Sequence, residues 1–324
     1  MKKWFVCILL GLVFWTNGLN VNAGGSSYVV IDANNGRTLI GSNEHEQLPI
    51  ASLTKIWTAL VVIENSDLTE RVFVSQKAAT MEGSSIYLKQ GMEYSVDFLL
   101  HGLMMQSGND AATALAEHVG GSVEGFVQLM NDKAVYQGLA NTYFTNPTGL
   151  PNPNHLSSAY DTAKMLQIAM QNPTFRKIAS TKQFKEGVFW RNKHRLLHED
   201  VGALAGKTGY TKVAGRTLAT FFEGEQKAFV VVTLNEGNDW NVHKYLANEI
   251  MSQYELETLV DKGKHSNGKV TVFVQEPIRA LIKKDESETI RHIVKVSRHP
   301  DSKRAVWHVY ANNQLLMTRI VERK

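Results

Sequence analysis

A serine and a lysine three positions apart, Ser52 and Lys55, open the stretch of this chain best suited to nucleophilic chemistry. A serine hydroxyl is a weak nucleophile until a base takes its proton, and a neutral lysine amine beside it can be that base. Three residues apart on a helix, both side chains lie on one face. A helix start favours the reaction, because its positive dipole end disfavours an ammonium and favours an oxyanion forming near the Ser52 N–H. Lowering a lysine from its usual range to neutrality takes about 5 kcal/mol, within reach of burial plus nearby positive charge.

The spacing alone carries little weight, since a Ser-x-x-Lys match is expected about once in a chain of this size. Ser266-Asn267-Gly268-Lys269 is a second match, in a Gly-, Asn- and Lys-rich run that no helix should cross. Context separates the two. Pro49 to Lys55 leads into Ile56-Trp57-Thr58-Ala59-Leu60-Val61-Val62-Ile63, a predicted helix apolar nearly all round, of the kind buried in a domain core. Two more short motifs follow, Ser107-Gly108-Asn109 and Lys207-Thr208-Gly209. His194 and His198 have a spacing that can bind metal, but no third ligand accompanies them, so neither a metal nor a cofactor is expected.

The elements that position these residues are legible in outline. Tyr28 to Asp32 and Arg37 to Ile40, around Asn35-Gly36, predict a β-hairpin. A short strand is expected over Arg71 to Ser75, and a helix from about Ser95 to Met105 with Val96, Leu99, Leu100 and Leu103 on one stripe. That helix should stop at Ser107-Gly108-Asn109, with Asp110 capping the next one, Ala111 to His118. Ser122 to Gln137 predicts a helix closed by Gly138. Asn146 to Pro151 is a loop, and two short helices cover Ser158 to Ser180. Strands return over Lys182 to Phe189, Lys207 to Tyr210, Gly215 to Phe222 and Ala228 to Leu234, and a helix over Trp240 to Leu256 closes this part. Strands at both ends of a helical block predict one sheet assembled from distant segments, an α+β fold.

Residues 260–269 are expected as a linker, and residues 270–324 as a small all-β domain. In that domain Val270 to Val274, Ile290 to Val296, Val306 to Tyr310 and Leu315 to Val321 alternate as half-exposed strands, with Asn312-Asn313 as a turn. At the other end, Met1-Lys2-Lys3 and the apolar run Trp4 to Trp15 form the start of a secretory signal, with Val21-Asn22-Ala23 as its cleavage site. The expected division is therefore 1–23 signal, 24–259 main domain, linker and β domain. Cleavage would leave a mature chain beginning near Gly24, secreted and held at a membrane only if the signal stays uncleaved. The sequence ends at Glu322-Arg323-Lys324 directly after a strand, so no C-terminal amphipathic anchor is expected. The single cysteine, Cys7, lies in the signal, which excludes a disulfide framework or a thiolate nucleophile in the remainder. Removing Lys2 and Lys3 takes the net charge from +4 to +2, a balance that argues against nucleic acid as a partner.

Taken together, the three motifs in this order resemble the penicillin-recognising serine enzymes, and within them the low-molecular-mass D-alanyl-D-alanine carboxypeptidases, the S11 peptidases. The likeness extends to Ile31 to Gly36, Asn146 to Leu150, His155 to Asp161, and Tyr210-Thr211 with Ala214-Gly215, covering about Tyr28 to Leu256. It implies a β-lactamase/transpeptidase-like domain, an antiparallel sheet with an inserted helical block. It also implies peptidoglycan stem peptides ending in D-Ala-D-Ala as substrate and β-lactams as covalent inhibitors. On this resemblance Ser52 is the nucleophile, Lys55 its base, Ser107 a proton relay to the leaving amine, and Asn109 a partner of the substrate amide and of Lys55. Lys207 and Thr208 meet the terminal carboxylate, Gly209 lets substrate lie along the strand, and Tyr210 N–H completes an oxyanion hole with Ser52 N–H. Gly206 replaces a usual bulkier residue, which predicts a looser edge strand, and Thr148 stands where some members have histidine. Two rival readings remain at this level: a class A-like β-lactamase, although the loop from Asn146 to Asp161 contains no glutamate to hold a deacylating water, and a catalytically idle β-lactam-sensing or wall-binding module.

Overall fold

The computed structural model describes residues 26–267, 270–284, 289–297, 299, 302–311 and 314–323. The expected signal at 1–23, Gly268 and Lys269 of the second Ser-x-x-Lys match, and the Asn312-Asn313 turn lie outside them. Among the described residues no helix is long and apolar enough to cross a membrane.

The chain opens with β1 (Ser27–Asp32) and β2 (Thr38–Ser42), the expected hairpin. A short 3-10 turn, Ala51–Leu53, runs into α1 (Thr54–Asn65). Then come β3 (Arg71–Phe73), α2 (Gln76–Ala79), β4 (Glu93–Ser95) and α3 (Val96–His101), which continues into a wide π turn, Gly102–Gln106. α4 (Asn109–Gly120), α5 (Val123–Tyr136), α6 (Ala159–Met170) and α7 (Pro173–Ala179) complete the helical block. Serines 75, 95, 122 and 158 each cap the following helix by accepting a backbone N–H, which ends the preceding loop at a defined residue.

Next follow β5 (Gln183–Lys185), β6 (Phe189–Arg191), β7 (Ala203–Thr211), β8 (Gly215–Gly224), β9 (Lys227–Leu234) and α8 (Asp239–Gln253). The main sheet has five strands in the order β2-β1-β9-β8-β7, all antiparallel. The first and last segments of the main domain thus meet in one sheet, as expected of the α+β class. Both its faces are covered. Val29, Ile31, Val230 and Val232 pack into the core under α1 and α6, while Val30, Phe229 and Val231 pack on the other side against α8. Strands buried on both faces lose the alternating pattern, which is why β1 and β9 read as unbroken apolar runs. α1 sits at the centre of the helical block, with every residue from Thr54 to Val62 buried.

β10 (Tyr254–Val260) pairs with β13 (Ile278–Lys283), and β11 (Gly263–Asn267), β12 (Val270–Val274), β14 (Arg291–Val296), β15 (Arg304–Ala311) and β16 (Gln314–Arg323) form a second five-stranded sheet. Asp32 anchors this end to the main sheet: its buried carboxylate accepts from Asn34 and Asn35 and from the Leu281 N–H at 2.7 Å. Burial raises its pKa, against the opposing pull of these donors.

Several local expectations need correction. The strand expected over Lys182 to Phe189 is instead the hairpin of β5 and β6, folded back at Gly187. Tyr254 to Leu256, read as the end of a helix, already belongs to β10, and the expected linker contains β11, paired with β12. β13 was not foreseen at all. Asp110 is not a helix cap, because α4 begins one residue earlier. Its carboxylate instead accepts from Ser85 Oγ and from the N–H groups of Ile86 and Leu88, holding that loop over the start of α4.

Candidate active site

Ser52 lies in the 3-10 turn just before α1, and Lys55 is the second residue of α1 itself. The turn is strained. Ala51 has φ +47, a left-handed conformation uncommon outside glycine, directly before Ser52. Thr54 Oγ1 stabilises the turn by donating to Ala51 O at 2.8 Å. His155 stands behind it: Nδ1 accepts from Thr145 N–H, so Nε2 carries the proton and donates to Thr54 Oγ1 at 2.8 Å. Burial, with the Lys55 charge adding to it, lowers this imidazole to about 4 and keeps it in that neutral tautomer.

Lys55 is wholly buried, and its Nζ donates to Ser52 Oγ (3.0 Å), Asn109 Oδ1 (2.7 Å) and Thr148 O (2.6 Å). Burial holds its pKa well below the usual lysine range, and Lys207 lowers it further while Asp110 opposes. Asn109, at the start of α4, is oriented by donating its Nδ2 to Glu82 O at 2.7 Å. Ser107 precedes it with φ +66, a second left-handed non-glycine at the site, forced where the π turn hands over to α4. Both strained residues adjoin proposed chemistry, and such strain persists only where the surroundings enforce it.

β7 is an edge of the main sheet and passes directly along the nucleophile. A Cβ on Gly209 would lie 3.0 Å from Ser52 N and 2.4 Å from Thr217 Oγ1, so no side chain fits there. Lys207 differs from its expected placement. It is buried, its Nζ donates to Ser107 Oγ (3.0 Å) and Thr208 O (2.8 Å), and burial together with Lys193 lowers it to about 7. A cleft of about 470 Å³ is lined by Ser52, Ser107, Thr208, Gly209, Tyr210 and Arg216 among others. Thr208 therefore presents the motif to the cleft, with Lys207 behind Ser107. The edge strand is not loose at Gly206, because the His194 ring fills the space beside it and a Cβ there would lie 2.6 Å from Nε2. His194 Nε2 meets Thr220 Oγ1, and His198 Nε2 donates to Asn192 O.

The structure thus brings all eight residues singled out by sequence to one place. The Thr148 carbonyl, His155, Asp110 and Gly149 were not assigned to the site. Thr148, Gly149 and His155 lie in stretches that resemble the family, and Asp110 was read only as a helix cap. Gly149 carries the strongest constraint. It has φ +82, and an added Cβ would lie 1.9 Å from Ala51 O. Gly149→Ala should cost about 2–5 kcal/mol through backbone strain and overpacking. Urea unfolding and the rate of penicillin acylation check this; an unchanged midpoint with normal acylation would contradict it.

Comparison with known proteins agrees with this geometry. A family profile described as D-alanyl-D-alanine carboxypeptidase matches residues 17–238. The chain is 38% identical over 285 residues to D-alanyl-D-alanine carboxypeptidase DacF of Bacillus subtilis, covering 80% of this chain and 73% of that protein. It is 34% identical over 198 residues to DacB2 of Mycobacterium tuberculosis, covering 59% of this chain and 68% of that one. The solved structure of penicillin binding protein 5 from Haemophilus influenzae aligns with a TM-score of 0.79 at 25% identity, over 92% of this chain and 95% of that chain. On the extent of these matches, this chain belongs to the D-alanyl-D-alanine carboxypeptidase family of serine peptidases, the S11 peptidases.

Proposed function

We propose that this protein removes the terminal D-alanine from peptidoglycan stem peptides through an acyl-enzyme on Ser52, and that β-lactams acylate the same hydroxyl. The observation that carries this is the buried Lys55 amine 3.0 Å from Ser52 Oγ, beside an open sheet edge. An extended peptide can add to such an edge as a further strand. Ser52 Oγ attacks the carbonyl between the two D-alanines while Lys55 takes its proton. Charge on the carbonyl oxygen is met by the N–H groups of Ser52 and Tyr210. As the C–N bond breaks, Ser107 gives its proton to the leaving amine and is reprotonated by Lys207, whose ammonium touches it at 3.0 Å. Water then attacks the acyl carbon. Its proton returns through Ser107 to Lys207, and Lys55 gives its proton back to Ser52. Thr208, backed by the Lys207 charge, meets the terminal carboxylate.

The same reading makes residues 1–23 an export signal and places the enzyme outside the cytoplasm, where its substrate is. Residues 24–259 carry the chemistry, and the β domain takes in β11 (Gly263–Asn267) as well as the strands from Val270 onward, because β11 pairs with β12 in its sheet. Turnover of a peptide ending in D-Ala-D-Ala is the direct test. Amidating its C-terminus should lower kcat/KM by about 10- to 150-fold, the worth of a hydrogen bond to a charged group. Activity should rise with pH as Lys55 loses its proton, and fall as pH passes about 7 and Lys207 loses its own. No release of D-alanine, or equal rates on the amidated peptide, would count against the assignment.

A further inference from the structure

Away from Ser52, a polar cleft of about 250 Å³ lies where the two domains meet, between α6, the turn around Asn35 and β16. It shares no lining residue with the cleft around Ser52. Lys164 and Gln167 are three apart on α6 and share a face. The point that a Cβ on Gly36 would occupy lies 2.8 Å from Lys164 Nζ and 3.2 Å from Gln167 Oε1, so both groups converge on that turn. Gln167 is only 4% exposed, and its Nε2 donates to Ala33 O at 2.9 Å, which fixes Oε1 as the atom on the other side of the amide. Among the described residues nothing donates to that oxygen. Buried acceptors are nearly always paired, so this one marks a place for a donor.

Two cations line the same cleft, Lys164 from the main domain and Arg319 of β16 from the β domain. Among the described residues neither forms an ion pair. Burial lowers the pKa of Lys164, with Asp161 opposing. The carboxylates of the adjoining segments are already engaged: Asp161 accepts from Asn141 N–H and Thr142 Oγ1, and Asp32 accepts from Asn34, Asn35 and the Leu281 N–H. The cleft therefore offers two cations to an anion and one carbonyl oxygen to a donor. A simple anion leaves Gln167 unmet, and a neutral sugar leaves the cations unmet. A phosphate monoester carries a charge of about −1.5 to −2 at neutral pH, which suits two cations. We propose that this interdomain cleft binds a polyol phosphate, such as glycerol phosphate, whose phosphate oxygens meet Lys164 and Arg319 while a hydroxyl donates to Gln167 Oε1. Bound there, it ties α6 to β16 and stabilises the junction of the two domains. The site stands independently of the carboxypeptidase reading.

Isothermal titration calorimetry of the protein with glycerol 3-phosphate tests the site, with methyl phosphate as the probe that lacks a hydroxyl. Glycerol 3-phosphate should bind about 2- to 10-fold more tightly, the worth of one neutral hydrogen bond. Lys164→Met should weaken both probes by about 10- to 150-fold, the worth of a hydrogen bond to a charged group. Its turnover of a D-Ala-D-Ala peptide should match the parent, because Lys164 lies outside the catalytic cleft. Gln167→Leu should keep the binding of methyl phosphate and erase the preference, with circular dichroism verifying its fold. Arg319 is exposed on its strand, so Arg319→Gln should fold normally and repeat the loss of affinity. Binding of neither probe to the parent overturns the site. Binding that Lys164→Met and Arg319→Gln leave intact lies elsewhere on the molecule, and overturns it equally. Equal affinity of the parent for the two probes overturns the polyol as the ligand.

Discussion

Ser52→Ala should abolish both covalent labelling by penicillin and release of D-alanine, while leaving the thermal midpoint close to that of the parent. The hydroxyl is the group that forms the acyl bond, and no neighbouring side chain can replace it. Lys55 would remain hydrogen-bonded to Asn109 Oδ1 and Thr148 O, so the buried amine keeps two of its three acceptors and the fold is spared. Loss of a nucleophile removes the covalent route altogether, and a fall of at least about a thousandfold is expected. Mass spectrometry of the intact protein after exposure to a labelled β-lactam reads the result. A label that persists in the variant, or maps to another residue, would falsify the assignment of Ser52.

The second large effect is expected at Lys55. Two roles are entangled in this side chain, because its Nζ both bonds the site together and takes the serine proton. Lys55→Arg separates them. A guanidinium retains donors for Asn109 and Thr148 but is effectively always protonated, so it cannot act as a base. Acylation should fall by about 10²- to 10⁴-fold, the usual worth of a positioned general base. Burial lowers the lysine well below its usual range, so the parent should keep its activity at neutral pH and lose it on acidification. The arginine variant should show no such dependence on the acid side. Stopped-flow acylation across pH decides between the roles, and an arginine variant acylating at the parental rate would remove Lys55 as the base.

These expectations draw on features of unequal visibility in the sequence. The catalytic pair was legible because Ser52 and Lys55 are covalent near-neighbours on one turn, and the apolar run behind them could only be a buried helix. Helix starts at Ser122 and Ser158 were legible for a similar reason, since a capping side chain acts on the backbone two or three residues away. Errors fell where a local pattern fits two structures. Tyr254 to Leu256 continues the helical run without a stop residue, yet pairing with β13 draws it into a strand. Asp110 has the residue type of a cap, but α4 starts at Asn109, and the N–H groups of Ile86 and Leu88 take its carboxylate.

By itself the sequence determined the chemistry available: a serine beside an ionisable amine, two short motifs to complete the site, and segments able to form an α+β core. Those are properties of residue type and of spacing within a few turns. What only the tertiary structure decided is how charge is distributed around that chemistry. Lys55 finds Asn109 across 54 positions and the Thr148 carbonyl across 93, and Lys207 reaches Ser107 across 100. None of these contacts leaves a periodic trace, because each is set by which strands pair and how closely the helices approach them. A lysine's pKa depends on burial and on neighbours that distant, and so the sequence names the base while the fold makes it one.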